Sequence, residues 1–159
     1  MKSKAKVYEG LRRQALDADP AELGFAPTPD HPRVFGVVME LGYPTAVATL
    51  ACFVDGSTSM YFSTGGGIIG GGQHVQIAQV ATAFVGFADR FVELAEATSD
   101  FPAPAVGRVR FDLLTYAGGF TAEAGEQELG EKRHALSPLF FGGHAVVAQL
   151  RLLDARQSA

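Results

Sequence analysis

Apolar positions recur along this chain with two different periods, and the switches between them mark out the elements. In residues 4–18, Val7, Leu11 and Ala15 fall at steps of four with charged residues between them, which predicts a short amphipathic helix. Asp19-Pro20-Ala21-Glu22 has the order of an N-cap, a first-turn proline and an N3 acid, and starts one or two turns that Gly24 ends. Pro27, Pro29 and Pro32 make residues 25–32 a stiff extended connector. Arg33–Leu41 reads both ways. Val34, Val37, Val38 and Leu41 fit a helical period, whereas three valines and a phenylalanine favour a strand.

From Thr45 the period is two. Thr45–Val54 and Ser57–Thr64 flank Asp55-Gly56, a dipeptide suited to the positive φ of a two-residue hairpin turn. In the first of these strands Val47, Thr49, Ala51 and Phe53 share one face, and Ala46, Ala48, Leu50, Cys52 and Val54 the other. Both faces are largely apolar, which predicts a central strand with Cys52 as a small buried side chain. After the glycine-rich stretch 65–72, residues 73–97 form the clearest helix: Ile77, Ala81, Phe84, Ala88 and Phe91 lie on one half of the wheel, and Gln79, Gly86, Asp89, Arg90 and Glu93 on the other.

Residues 98–107, with Pro102, Pro104 and Gly107, read as a loop. Arg108–Tyr116 alternates Val109, Phe111 and Leu113 against Arg110 and Asp112, a third strand on which Asp112 and Arg110 form an exposed ion pair. Gly118-Gly119 then turns the chain into a fourth strand, Phe120–Glu126, with Phe120, Ala122 and Ala124 inward. The acidic stretch Glu123–Glu131 is expected to be solvated. Ser137-Pro138 opens a C-terminal helix whose apolar face runs through Leu139, Val146, Val147, Leu150 and Leu153 to about Arg156. Gly142-Gly143 weakens its start, so order is expected to begin nearer His144.

These elements define an α+β fold: a mainly antiparallel sheet of two hairpins, packed with a long central helix and a C-terminal helix. Residues 1–32 are a helical arm and proline-rich connector, residues 33–156 the α+β core, and the whole chain 1–159 a single domain. Composition agrees, because 159 residues with 47% hydrophobic side chains suffice for one domain with a real core and leave no room for a second.

The net charge of −4, from 13 bases and 17 acids, argues against a nucleic-acid partner. The charge is uneven, since residues 1–13 hold Lys2, Lys4, Lys6, Arg12 and Arg13 against Glu9 alone. Such an arm is either a solvated terminus or a contact for a membrane or an acidic partner. A single cysteine permits no intrachain disulfide, and the first 13 residues lack a signal-peptide apolar core, so a cytoplasmic location is expected. No apolar run approaches the roughly 18–20 residues that cross a bilayer.

The candidate chemistry centres on the glycine octet. Gly65, Gly67 and Gly70 formally satisfy GxGxxG before a helix, and the N–H groups of Gly65, Gly66, Gly67, Gly70, Gly71 and Gly72, with His74 at the helix start, are an anion- or nucleotide-binding candidate. Against this, the acidic residue of a dinucleotide site is missing at its spacing, where Asp89 and Arg90 sit in mid-helix, and no P-loop lysine follows. The competing reading is a plain connector. Ile68 and Ile69 either plug the domain's own core or meet a second subunit or an apolar ligand. Gly86, on the polar helix face, is either tolerated there or marks the close approach of another backbone, such as a dimer contact.

His31, His74, His134 and His144 include no pair at zinc-ligand spacing, so neither a metal nor another cofactor is indicated. Ser57, Ser59 and Ser63 lack a nucleophile-elbow motif, and a hydrolase using Ser63 and His74 is a distant reading. The absence of a catalytic constellation leans away from an enzyme and toward an interaction or regulatory module, expected to be a homodimer, with a further protein partner possible.

The order helix, hairpin, long helix, hairpin, terminal helix over residues 45–155 resembles the roadblock/dynein light chain family and the wider profilin-like group. That resemblance implies a sheet between helices, dimerisation, and a role as a scaffold or regulator of small GTPases. It is one of element order alone, and no residue motif transfers. The runs Tyr61-Phe62-Ser63 with GGGIIGGG, and Leu136-Ser137-Pro138-Leu139-Phe140, are also similar to small bacterial proteins of unknown function.

Overall fold

A computed structural model describes residues 3–158, so Lys2 of the basic arm lies outside the described residues. In chain order the elements are α1 (Lys4–Leu16), β1 (Val34–Gly42), β2 (Val47–Phe53), β3 (Thr58–Phe62), β4 (Gly67–Ile68), α2 (Val75–Ala88), β5 (Glu96–Ala97), β6 (Arg108–Thr115), β7 (Gly118–Gly125), α3 (Glu126–Gly130) and α4 (Ser137–Ser158). The strands form one antiparallel sheet in the order β4-β3-β2-β1-β6-β7-β5. The fold is therefore α+β with an antiparallel sheet, as its patterning implies.

The sheet is covered on both faces. Met39, Leu41, Leu50, Cys52, Phe111 and Leu113 point toward α2 and α4 and make the larger core with Phe84, Val85, Val147 and Leu150. On the other face Phe35, Val38, Ala51 and Leu114 pack under Ala15 and Leu16 of α1, with Phe25 and Phe101 beside them. This double cover resolves Arg33–Leu41. β1 pairs with β2 on one side and β6 on the other, and all nine of its residues are buried, so an apolar run that mimics a helical period is a central strand.

The same packing corrects several boundaries. The first hairpin turns through three residues, Val54-Asp55-Gly56: the Gly56 N–H donates to the Phe53 carbonyl, the Phe53 N–H donates to the Ser57 carbonyl, and Gly56 takes φ +87°. The second turns at Tyr116-Ala117, with Gly118 and Gly119 already in β7. The central helix is shorter than 73–97. α2 ends at Ala88, because the Asp89 carboxylate accepts the N–H groups of Arg33 and Val34 and the Arg33 side chain. The chain then continues as a 3-10 helix, Asp89–Leu94, and Glu96–Ala97 pairs with β7 as an edge strand.

Helix α4 is helical from Ser137 onward, through both glycines. A Cβ on Gly143 would stand 2.5 Å from Met39 Sδ and 3.2 Å from Phe84 Cζ, so the bare backbone is what lets α4 lie close on the sheet and α2. Helix α1 is also turned from its expected face, with Tyr8, Ala15 and Leu16 buried and Val7 46% exposed. The acidic stretch is not wholly solvated, since Leu129 of α3 is buried and Glu123 pairs with Arg108 and Arg110.

Candidate functional site

The glycine octet is divided by its own packing. Gly65–Gly67 turn the chain from β3 into β4, with the Gly65 N–H donating to the Phe62 carbonyl and Lys4 of α1 lying across Gly65. Gly71 is pressed against Leu150 and the Thr58 carbonyl, and Gly72 against the backbone of Gly56 in the first hairpin turn. Gly66 has open space around it and Gly70 only the Gln73 side chain, 3.9 Å from where a Cβ would stand; both take positive φ, +83° and +77°. His74 is exposed at the start of α2 and its side chain does not cap the helix. The first triplet thus belongs to the cleft beside α1, and the second triplet with His74 to the start of α2. Ile68 is half-buried against the larger core, while Ile69 is 69% exposed.

The outer face of α2 carries a shallow apolar groove of about 610 Å³. Val75, Ala78, Thr82, Ala83 and Gly86 line it from the helix, and Asp30 and His31 from the connector. The close approach to Gly86 comes from this chain: a Cβ there would stand 3.2 Å from His31 Nε2, and the His31 ring lies 3.1 Å from the Thr82 carbonyl, to which Nε2–H can donate. Val75 is 71% exposed at the mouth of the groove.

A third feature went unforeseen in the sequence. Glu40 projects from the middle of β1, fully buried, beneath α1. Arg12 donates to both of its carboxylate oxygens, Nε to Oε2 and Nη2 to Oε1 at 2.8 Å each, and Nη2 also donates to the Phe101 carbonyl. The Thr49 hydroxyl, opposite Glu40 on β2, donates to Oε2 at 2.7 Å, which leaves the Tyr8 hydroxyl to donate to Thr49 at 2.7 Å. A charge in an all-apolar strand was the signal for this cluster, because such a group must find a counter-charge or remain protonated.

Asp112 belongs to the same face and is buried, which overturns the exposed pair with Arg110. Asp112 and Arg110 do not bond directly. Thr121 donates its hydroxyl to Asp112 Oδ1 and accepts Arg110 Nη2, while Asp112 Oδ2 and Arg110 Nε have no protein partner. The strand alternates as its pattern implies, but the face that carries Asp112 is buried rather than open. Burial, with the Glu40 charge adding to it, pushes the Asp112 carboxyl up to about 7 against the pull of the Thr121 bond.

Two clefts flank α1. One of about 300 Å³ is lined by Lys4, Val7, Leu11, Tyr61, Phe62 and Gly65–Gly67; the other, of about 580 Å³, runs on past Leu11, Tyr61 and Ile69 to Phe25 and Phe53. Neither Glu40 nor Asp112 lines them. Among the described residues no group of three His, Cys, Asp or Glu side chains stands close enough to hold a metal, and no helix is long and apolar enough to cross a membrane. Cys52 is buried, and burial pushes its thiol pKa far up. No family model, curated protein or solved structure matches the chain.

Proposed function

We propose that the protein is a non-enzymatic interaction module that self-associates through the outer face of α2. The observation that carries this reading is the α2 groove. Beyond the end that His31 closes over Thr82 and Gly86, Ala78 and Ala83 leave the helix face shallow, and Val75 beside them is a large apolar side chain left in water. The dimerisation implied by the roadblock-like element order points the same way, as an analogy of fold. Glu40, fully buried, is engaged in holding α1.

Light scattering on the eluting protein at micromolar concentration tests the reading. A dimer is expected, and Val75→Glu and Ala83→Glu, both at exposed positions, are expected to convert it to a folded monomer. A monomeric wild type, or a dimer indifferent to both substitutions, overturns it.

A second reading, an anion held at the Gly70–His74 end of the octet, is favoured by the uncapped start of α2, whose first N–H groups have no side-chain acceptor. A thermal-shift panel of nucleotides, coenzyme A, phosphate and sugar phosphates tests it. Silence across the panel removes it.

A further inference from the structure

We propose that the cleft along α1 is a binding site for a free monocarboxylate with an unbranched alkyl chain, its carboxylate at Lys4 and its chain running toward Phe25 and Phe53. The site shares no lining residue with the α2 groove and does not depend on self-association. Shape, apolar surface and charge each point to this ligand.

The two clefts beside α1 adjoin at Leu11, Tyr61 and Ile69, which line both, so one path runs along the helix and past its end. Their volumes of about 300 and 580 Å³ lie in the range of small-molecule pockets. At about 1.5 Å of rise per residue, Lys4 stands roughly 10 Å from Leu11, so a chain of medium length is needed to pass the junction. Tyr61 gives this path a ring rather than a polar group, because its hydroxyl is bonded to Ser59 at 2.6 Å. With Leu11 and Ile69 it offers the middle of a ligand no polar side-chain partner, and that middle is therefore hydrocarbon.

Large apolar side chains are also left in water here. Val7, Leu23 and Ile69 are all exposed, and all three border the clefts. An alkyl chain laid beside them takes that surface out of water and leaves α1 in place.

Charge sets the direction of the ligand. Lys4 is the one charged residue lining the smaller cleft, and it begins α1 and lies across Gly65. Every charged residue lining the larger cleft is acidic: Asp17, Asp19, Glu22 and Asp55. An anionic head is thus attracted to the Lys4 end and repelled from the other. The acids are not arranged as a cradle for a cation, since Asp19 accepts the Ala21 N–H and Asp55 the Ser57 N–H, each within its own turn.

Isothermal titration calorimetry on the full chain tests the site, with decanoate, decanol and decylammonium below micelle-forming concentrations. Decanoate is expected to bind saturably at one site per chain, about fivefold tighter than decanol, with decylammonium weakest. Each methylene removed from the acid is expected to weaken binding about fourfold. Lys4→Gln, at an exposed position, is expected to bring decanoate to the affinity of decanol and to leave decanol unchanged. Val7→Asp, also exposed, is expected to abolish binding of both. Thermal melts of the two variants confirm that each is folded.

Equal affinity for the three compounds overturns the site, as does decanoate binding that survives both substitutions. Absence of saturable decanoate binding overturns it too, including the case in which the protein instead sediments with anionic phospholipid vesicles and the surface is a membrane contact. Ala83→Glu, on the α2 face, is expected to leave decanoate binding unchanged. A monomeric wild type that binds decanoate removes the self-association reading alone.

Discussion

Asp112 lies diagonally across the β1–β6 ladder from Glu40, and neither carboxylate is open to solvent. Both project onto the face that α1 covers, yet their circumstances differ. Glu40 has donors on both oxygens, from Arg12 and Thr49. Asp112 has Thr121 on one oxygen and no protein donor on the other. A buried carboxyl so poorly served favours its proton, and the Glu40 charge nearby strengthens that preference.

This sets a pH signature for Asp112. In the unfolded chain an aspartate ionises near 3.9, while the folded value is about 7. The group's contribution is therefore fully present below about pH 4, is lost as pH rises toward 7, and is level above that. Asp112→Asn keeps an acceptor for Thr121 and abolishes the titration. Denaturant unfolding at pH 4 and pH 8 is expected to show the variant gaining on wild type between the two, by up to about 4 kcal/mol. An unchanged gap contradicts this assignment.

Asp89 carries the opposite sign. Burial works against its charge, but the N–H groups of Val34 and Arg33 and the Arg33 guanidinium overcome that and hold its carboxyl below the usual range. Its stabilisation is present above the ordinary aspartate value and is lost as pH falls through the lowered one. Asp89→Ala also strands two strand-start N–H groups, at a cost of about 1–3 kcal/mol. Measured at pH 7 and again at pH 2.5, that loss is expected to shrink on the acid side.

Element types were legible where one physical factor dominated. The Asp55-Gly56 hairpin and the α2 periodicity followed from local backbone and face preferences, and both exist. Boundaries were lost where a distant group intervened. Nothing between residues 73 and 97 announces that Arg33 and Val34 will claim Asp89 and end α2. The buried face of α1 was misread for the same reason, since it is set by Glu40, a residue 28 positions from Arg12. The octet advertised its glycines, but their separate demands became visible only when Gly56 and Leu150 were in place beside them.

Those demands divide the octet in a way that substitution can read. Gly72 has no room for a side chain, because the backbone of Gly56 and Ser57 occupies that space. Gly66 needs only positive φ and has nothing within 4 Å of a Cβ. Gly72→Ala is expected to destabilise by about 1–3 kcal/mol through the forced shift of the hairpin turn. Gly66→Asn, which tolerates the left-handed region, is expected to stay within about 0.5 kcal/mol of wild type. Thermal melts of the two variants side by side decide it, and equal losses would mean that the octet is not divided in this way.

The Arg12–Glu40 pair should respond asymmetrically to loss of either partner. Removing Arg12 leaves Glu40 at zero exposure with Thr49 as its remaining side-chain donor, a charge stranded under α1. Removing the charge of Glu40 leaves an arginine that is already 18% exposed and can swing its head toward solvent. Arg12→Ala is expected to cost about 3–5 kcal/mol, and Glu40→Gln distinctly less. The double variant Arg12→Met/Glu40→Met replaces the pair with apolar bulk of similar length and is expected to recover most of the Arg12→Ala loss. Urea unfolding of the wild type and the three variants decides it. A double variant no more stable than Arg12→Ala would show that the stranded Glu40 charge is not the source of that loss.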